Sequence, residues 1–117
     1  MPGRRPVRLA NLIQEKIASL ILDGSVKDPR VDSFISITRV EVSKDLSYAD
    51  VFVSSFKSAE GPEKGAAGLQ AAAPFIQKTI FKSMRVRVAP RLRFHADRGI
   101  QEAFFLNQKI DALVKET

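Results

Sequence analysis

The 117-residue sequence has no cysteine, no tryptophan and a single histidine, His95. Without cysteine there is no disulfide framework and no thiolate metal site, and one imidazole leaves little for zinc chemistry. No apolar run approaches the roughly 20 residues that span a bilayer, and no signal-peptide core follows Arg4-Arg5. A P-loop and a GxGxxG fingerprint are missing, and no nucleophile sits beside an orienting base. The expectation is a soluble, cytoplasmic, non-catalytic chain that needs no metal or cofactor. Its length suits one domain, and its 44% apolar content suffices for one two-layer core.

The most informative scarcity is that of acids from two stretches. Overall, 19 Lys+Arg stand against 13 Asp+Glu, a formal net charge of +6. Residues 1–14 hold Arg4, Arg5 and Arg8 with no acid. From Lys64 to Ala96 the chain carries Lys64, Lys78, Lys82, Arg85, Arg87, Arg91 and Arg93, again with no acid. The stretch from Asp23 to Glu63 is close to neutral by contrast. An ordinary solvated surface explains scattered charges; clustering of this kind is the footprint of a polyanion binder.

Apolar spacing at Leu9, Leu12, Ile13, Ile17, Leu20 and Ile21 predicts a helix from Pro6 to Asp23, with residues 1–5 as a flexible arm and Gly24 as the stop. Lys27-Asp28-Pro29-Arg30 reads as a turn. Phe34–Ser43 and Tyr48–Phe56 read as strands joined by a short connection, hence an antiparallel hairpin. The first strand changes phase, Ile35 and Ile37 on one face and Val40 and Val42 on the other, so both faces are partly covered or a bulge lies near Thr38-Arg39. Lys57 to Gly65 reads as a loop and then a helix to about Met84, interrupted by Pro74. Beyond Pro74, Ile76, Ile80, Phe81 and Met84 share one side of that helix, while Lys78, Lys82 and Arg85 lie opposite. Arg85 to His95 alternates arginine with apolar residues around Pro90, an edge strand or two short ones that extend the basic stripe of the helix. A last helix from about Gly99 to Val114 would bury Ala103, Leu106, Ile110 and Leu113. The order α-β-β-α-(kink)-α-β-α gives an α+β two-layer domain, three strands with helices on one face.

Three blocks carry a family likeness. Lys27-Asp28-Pro29-Arg30, then Ile37-Thr38-Arg39-Val40-Glu41-Val42-Ser43-Lys44-Asp45-Leu46-Ser47-Tyr48-Ala49, then Met84-Arg85-Val86-Arg87 with Pro90, Leu92, Phe94 and Asp97, resemble ribosome-binding factor A. The resemblance covers roughly residues 5–114 and implies a single type II KH-like domain over residues 1–117. It implies a non-enzymatic factor that binds the small ribosomal subunit and its ribosomal RNA, assists late maturation and 5′-end processing, and matters for growth in the cold. Other assembly factors, a releasing GTPase among them, are the further partners it implies, with the chain itself a monomer and no membrane involved. In that family an Ala-x-Gly kink replaces the KH GxxG loop; the matching positions here are Ala72-Ala73-Pro74, with proline in place of glycine.

Gly65-Ala66-Ala67-Gly68 matches GxxG literally, but no helix fits between the strand ending at Phe56 and Gly65, so it is read as the start of the helix. His95 and Asp97 share a strand face and could pair. Asp28 and Asp32 flank a turn, where local backbone bonding explains them. Phe75, near Lys78 and Lys82 on the helix, is a candidate for base stacking or for partial burial. The expected RNA-binding residues are Arg4, Arg5, Arg8, Lys78, Lys82, Arg85, Arg87, Arg91 and Arg93, with Ala72, Ala73 and Pro74 as the kink. The competing reading is a basic module that docks on an acidic protein partner.

Overall fold

The computed structural model describes residues 4–55, 60–84 and 89–97, with side chains from Pro6 onward. Helix α1 (Arg4–Leu22) is followed by β1 (Ile35–Val42), β2 (Tyr48–Ser55), α2 (Gly61–Ala71), α3 (Ala73–Lys82) and β3 (Arg91–Ala96). The sheet order is β1-β2-β3, with β1 antiparallel to β2 and β2 parallel to β3. A parallel pair needs a long crossover, and α2 and α3 supply it. The arrangement is an α+β fold consistent with the expected KH-like domain. The expected last helix, 99–114, and the segment 85–88 lie outside the described residues.

Helix α1 starts at Arg4, ahead of Pro6, so the backbone of Arg4 and Arg5 belongs to the helix and not to an arm before it. Ile13 and Ile17 are fully buried, whereas Leu12 faces outward. The helix ends at Gly24, whose φ of 76° is left-handed, with Ser25 N–H donating to the Leu20 carbonyl at 3.0 Å and Gly24 N–H to that of Ile21 at 3.3 Å. Those two bonds satisfy carbonyls that the last turn would leave open.

In the next turn, Asp28 Oδ1 accepts from Arg30 N and Nε, both at 2.9 Å, and Oδ2 accepts from Nη2 at 2.7 Å. These bonds from Arg30 hold the Asp28 carboxyl at about 2. Asp32 Oδ1 likewise accepts from Phe34 N at 2.9 Å, so both aspartates serve the turn.

Strand β1 contains the bulge. Its register against β2 shifts between Ile37 and Arg39, and the extra residue turns Ile35, Ile37 and Val40 all to the buried side. The hairpin connection is closed by Asp45, whose Oδ1 accepts from Ser43 Oγ, Ser47 N and Ser47 Oγ, with Leu46 at a φ of 63°. Ala49, Val51 and Val53 of β2 face the helices and are fully buried.

Helix α2 begins at Gly61, four residues before the expected Gly65. Gly61-Pro62 looked like loop punctuation; Pro62 instead sits in the first turn, where its missing N–H costs nothing. Gly65 and Gly68 therefore fall inside a helix. A Cβ on Gly65 would collide with Ile35 Cδ1 and lie 3.3 Å from Val53 Cγ1, and one on Gly68 would lie 2.8 Å from Val31 Cγ2. The glycines bring α2 close to β1 and the Asp-Pro turn and form no ligand loop. The chain breaks at Ala72 (φ −88°, ψ 2°), two residues before Pro74, because Pro74 occupies the first turn of a new helix and cannot continue the old one. Leu69, Ile76, Ile80 and Leu92 are essentially fully buried between the helices and the sheet, each worth about 1.5–3 kcal/mol of burial.

Candidate nucleic-acid interface

Helix α3 sorts its side chains by period. Ile76 and Ile80 point into the core, and Phe75, Lys78 and Lys82 are exposed. The i, i+3, i+7 spacing places the last three along one stripe. Phe75 is 47% exposed, so the ring is partly buried and still presents a face to solvent, with a cation one turn beyond it. Among the described residues neither Lys78 nor Lys82 has a carboxylate partner. A half-exposed aromatic ring on one stripe with two ammonium groups that are unpaired among the described residues offers a base a stacking face and a phosphate a counter-charge.

Beside this stripe, the α2–α3 elbow and β3 enclose a cleft of about 600 Å³ whose lining includes Gln70, Pro74, Gln77, Ala89, Arg91 and Arg93. The kink residues Ala73 and Pro74 thus share one concavity with two of the expected arginines. A cleft of similar volume, about 590 Å³, lies between α1 and β1, but its lining holds Glu15 and no cation, so it offers nothing to a polyanion.

Two glutamines that the sequence reading passed over shape the cleft. Gln77 Nε2 donates to the Pro90 carbonyl at 2.7 Å, and its Oε1 accepts from Leu92 N at 3.3 Å. Gln70 Oε1 accepts from Phe94 N at 3.0 Å. The only sequence signal for them is position: each directly follows a core residue, Leu69 or Ile76.

The expected continuous basic stripe is divided. Leu92 and Phe94 of β3 face the helices, so strand alternation puts Arg91, Arg93 and His95 on the opposite face of the sheet. There Arg93 is bound bidentately to Asp50 of β2, Nε to Oδ1 at 2.8 Å and Nη2 to Oδ2 at 3.1 Å, and lies 4.2 Å from the Tyr48 ring centroid. His95 Nε2 meets the same Asp50 Oδ1 at 2.8 Å, while Asp97 accepts from Thr38 Oγ1. The histidine's carboxylate is therefore Asp50 and not Asp97, because the parallel pairing of β2 with β3 sets Asp50 beside Arg93. Burial pushes the Asp50 carboxyl up, but hydrogen bonds from Arg93 and His95 outweigh it and leave the pKa below the ordinary value. Arg39 covers Phe52 at 4.0 Å and pairs with Glu41 at 3.5 Å. This face spends its charge internally. Arg91 is exposed without a carboxylate partner among the described residues, as is Arg8 on α1. The side chains of Arg4, Arg5, Arg85 and Arg87 lie outside the described residues. Among the described residues no group of three metal-binding side chains assembles, and no helix is long and apolar enough to cross a membrane.

Comparison with known proteins gives this geometry a lineage. The family model for ribosome-binding factor A matches residues 5–111. The chain is 43% identical over 109 residues to ribosome-binding factor A of Treponema denticola, covering 93% of this chain and 83% of that one. The solution NMR structure of a Thermotoga maritima protein superposes with a TM-score of 0.69 at 36% identity, over 85% of this chain and 92% of that one. A Thermus thermophilus ribosome binding factor A homology model, fitted into a cryo-EM map of a 30S complex, matches with a TM-score of 0.57 at 27% identity, over 81% of this chain and 93% of that one. With its blocks in order, its mixed sheet and its elbowed helix pair, the chain belongs to the ribosome-binding factor A family.

Proposed function

We propose that this chain is a non-catalytic assembly factor that binds the small ribosomal subunit through its ribosomal RNA. It assists late maturation and 5′-end processing in the cytoplasm, with a role in adaptation to cold. The observation that carries the reading is the α3 stripe, where Phe75 stands half-exposed at one end and Lys78 and Lys82 follow it, neither paired with an acid among the described residues. Support comes from the Thermus relative, placed in a 30S complex. Phosphate contacts would come from Lys78 and Lys82, with Arg91 at the cleft and Arg8, Arg4, Arg5, Arg85 and Arg87 as further candidates. Arg93 is the weakest of the expected ligands, since Asp50 already holds it. The elbow Ala72-Ala73-Pro74 sets the angle at which α3 meets the RNA. The protein acts stoichiometrically as a monomer, holding an immature conformation until another assembly factor, of the GTPase class, releases it.

The test is crosslinking to isolated small subunits followed by sequencing of the attached RNA, alongside co-sedimentation after nuclease treatment. Crosslinks from the α3 stripe to ribosomal RNA, and loss of the complex on digestion, are expected. A complex that survives digestion intact would favour an acidic protein partner instead.

A further inference from the structure

Among the described residues strand β3 is an outer strand of the sheet, and its Leu92 lines the cleft together with Gln70 and Gln77. Arg91 N–H donates inward, to the Ser47 carbonyl of the β1–β2 connection at 2.9 Å, so the amides of Leu92 and Phe94 point away from β2. An outer strand normally leaves such groups to water, or to whatever extended chain or base edge can pair with them. Here they are occupied. Gln77 bonds as a strand would, donating to Pro90 and accepting from Leu92, while Gln70 accepts from Phe94. Pro90 contributes no N–H of its own. A carboxamide carries both a donor and an acceptor, so it is the side chain that can satisfy a carbonyl and an amide of one strand together.

We propose that Gln70 and Gln77 lock the amides of the β3 edge, so that the cleft receives a sugar–phosphate backbone and does not read bases through those amides. The base-readout half of this inference rests on the RNA-binding reading above. The lock itself does not. It makes the two glutamines specificity-determining residues by subtraction: the strand amides that would donate to a base are spent, and that part of the discrimination is left to the fold of the RNA. Arg91 on the rim contacts phosphate, which is common to all sequences.

The experiment compares the full chain with the variant Gln70→Met/Gln77→Met, which keeps side-chain bulk and removes the carboxamides. Amide exchange is read first, without RNA. Leu92 and Phe94 should exchange slowly in the wild type and at least about tenfold faster in the variant, while Arg91, bonded toward β2, stays unchanged. Equal rates for Leu92 and Phe94 in the two proteins overturn the lock. Loss of protection at Arg91 as well would mean that the strand has come away, and the single variants Gln70→Met and Gln77→Met then decide, each freeing only its own amide. Affinity for 12-mers of oligo(A), oligo(U) and oligo(C) is read next. The wild type should bind all three within about threefold, and the variant should gain about a tenfold preference for one of them. A wild type that already discriminates tenfold refutes the readout half. A wild type that binds none of them at low salt overturns the RNA reading and that half with it, while the exchange pattern still decides the lock.

Discussion

Gly68→Ala separates a packing glycine from a ligand-loop glycine. In an open helical site the change should stabilise the chain by about 1 kcal/mol, the helix-propensity gap between glycine and alanine. At Gly68 the new Cβ would lie 2.8 Å from Val31 Cγ2, 3.1 Å from Arg30 Cβ and 3.2 Å from Asp28 Oδ1. These neighbours belong to three residues, and Arg30 Cβ is one bond from the backbone, so relief requires shifting a turn that Asp28 holds with three bonds. Overpacking of this kind costs about 1–3 kcal/mol. The clash wins, and the net loss is on the order of 1 kcal/mol, a fall in Tm of roughly 4 °C. Urea unfolding with an unchanged m-value is the assay. In a cycle with Val31→Ala, removing the nearest contact should recover at least about 0.5 kcal/mol as coupling. Affinity for small subunits should stay within twofold, since the glycine faces the turn and not the cleft. A Gly68→Ala protein more stable than wild type, or equally stable with weakened binding, would refute the reasoning.

Three further outcomes follow from the same geometry. Phe75→Ala should weaken binding to small subunits by about 1–3 kcal/mol, the worth of a stacked base, with little change in the urea midpoint; unchanged affinity would remove Phe75 from the interface. Leu69→Ala, at a fully buried site, should cost about 2–5 kcal/mol in denaturant titration, and a loss below 1 would mean that the α2 packing is misplaced. Bonds from Arg30 hold Asp28 at about 2, and the Ser47 and Ser43 hydroxyls hold Asp45 at about 2. Both depressed groups release protons on folding, so their contribution is complete above about pH 4 and is lost as pH falls toward 2; urea midpoints should decline across that window, and less so in Asp28→Asn/Asp45→Asn.

What the sequence revealed and what it hid divide along physical lines. The hairpin, the Gly24 stop and the turn roles of Asp28 and Asp32 rest on local chemistry, and each was legible from neighbours in the chain; the phase change near Thr38-Arg39 was legible too, but its choice between a bulge and two covered faces was decided by the pairing with β2. The start of α2 was not, because Gly-Pro ends one element and opens another with equal ease, and only packing against Ile35 and Val31 decides. The two faces of α3 were visible in its 3.6-residue period, and its exposed Phe75 was half anticipated. The fate of Arg93 and His95 was hidden, since Asp50 lies more than forty residues away and meets them only through the parallel pairing of β2 and β3. The roles of Gln70 and Gln77 were hidden for the same reason. A glutamine on a helix looks the same whether it faces water or a strand edge.

The central claim is that α3 meets RNA through phosphate contacts by Lys78 and Lys82. Its most direct test is the salt dependence of binding to isolated small subunits, wild type against Lys78→Ala/Lys82→Ala. Each neutralised phosphate contributes about 0.7–0.9 to the slope of log K against log salt, so the double variant should bind more weakly with a slope shallower by about 1.4–1.8. An identical slope for the two proteins would contradict the account.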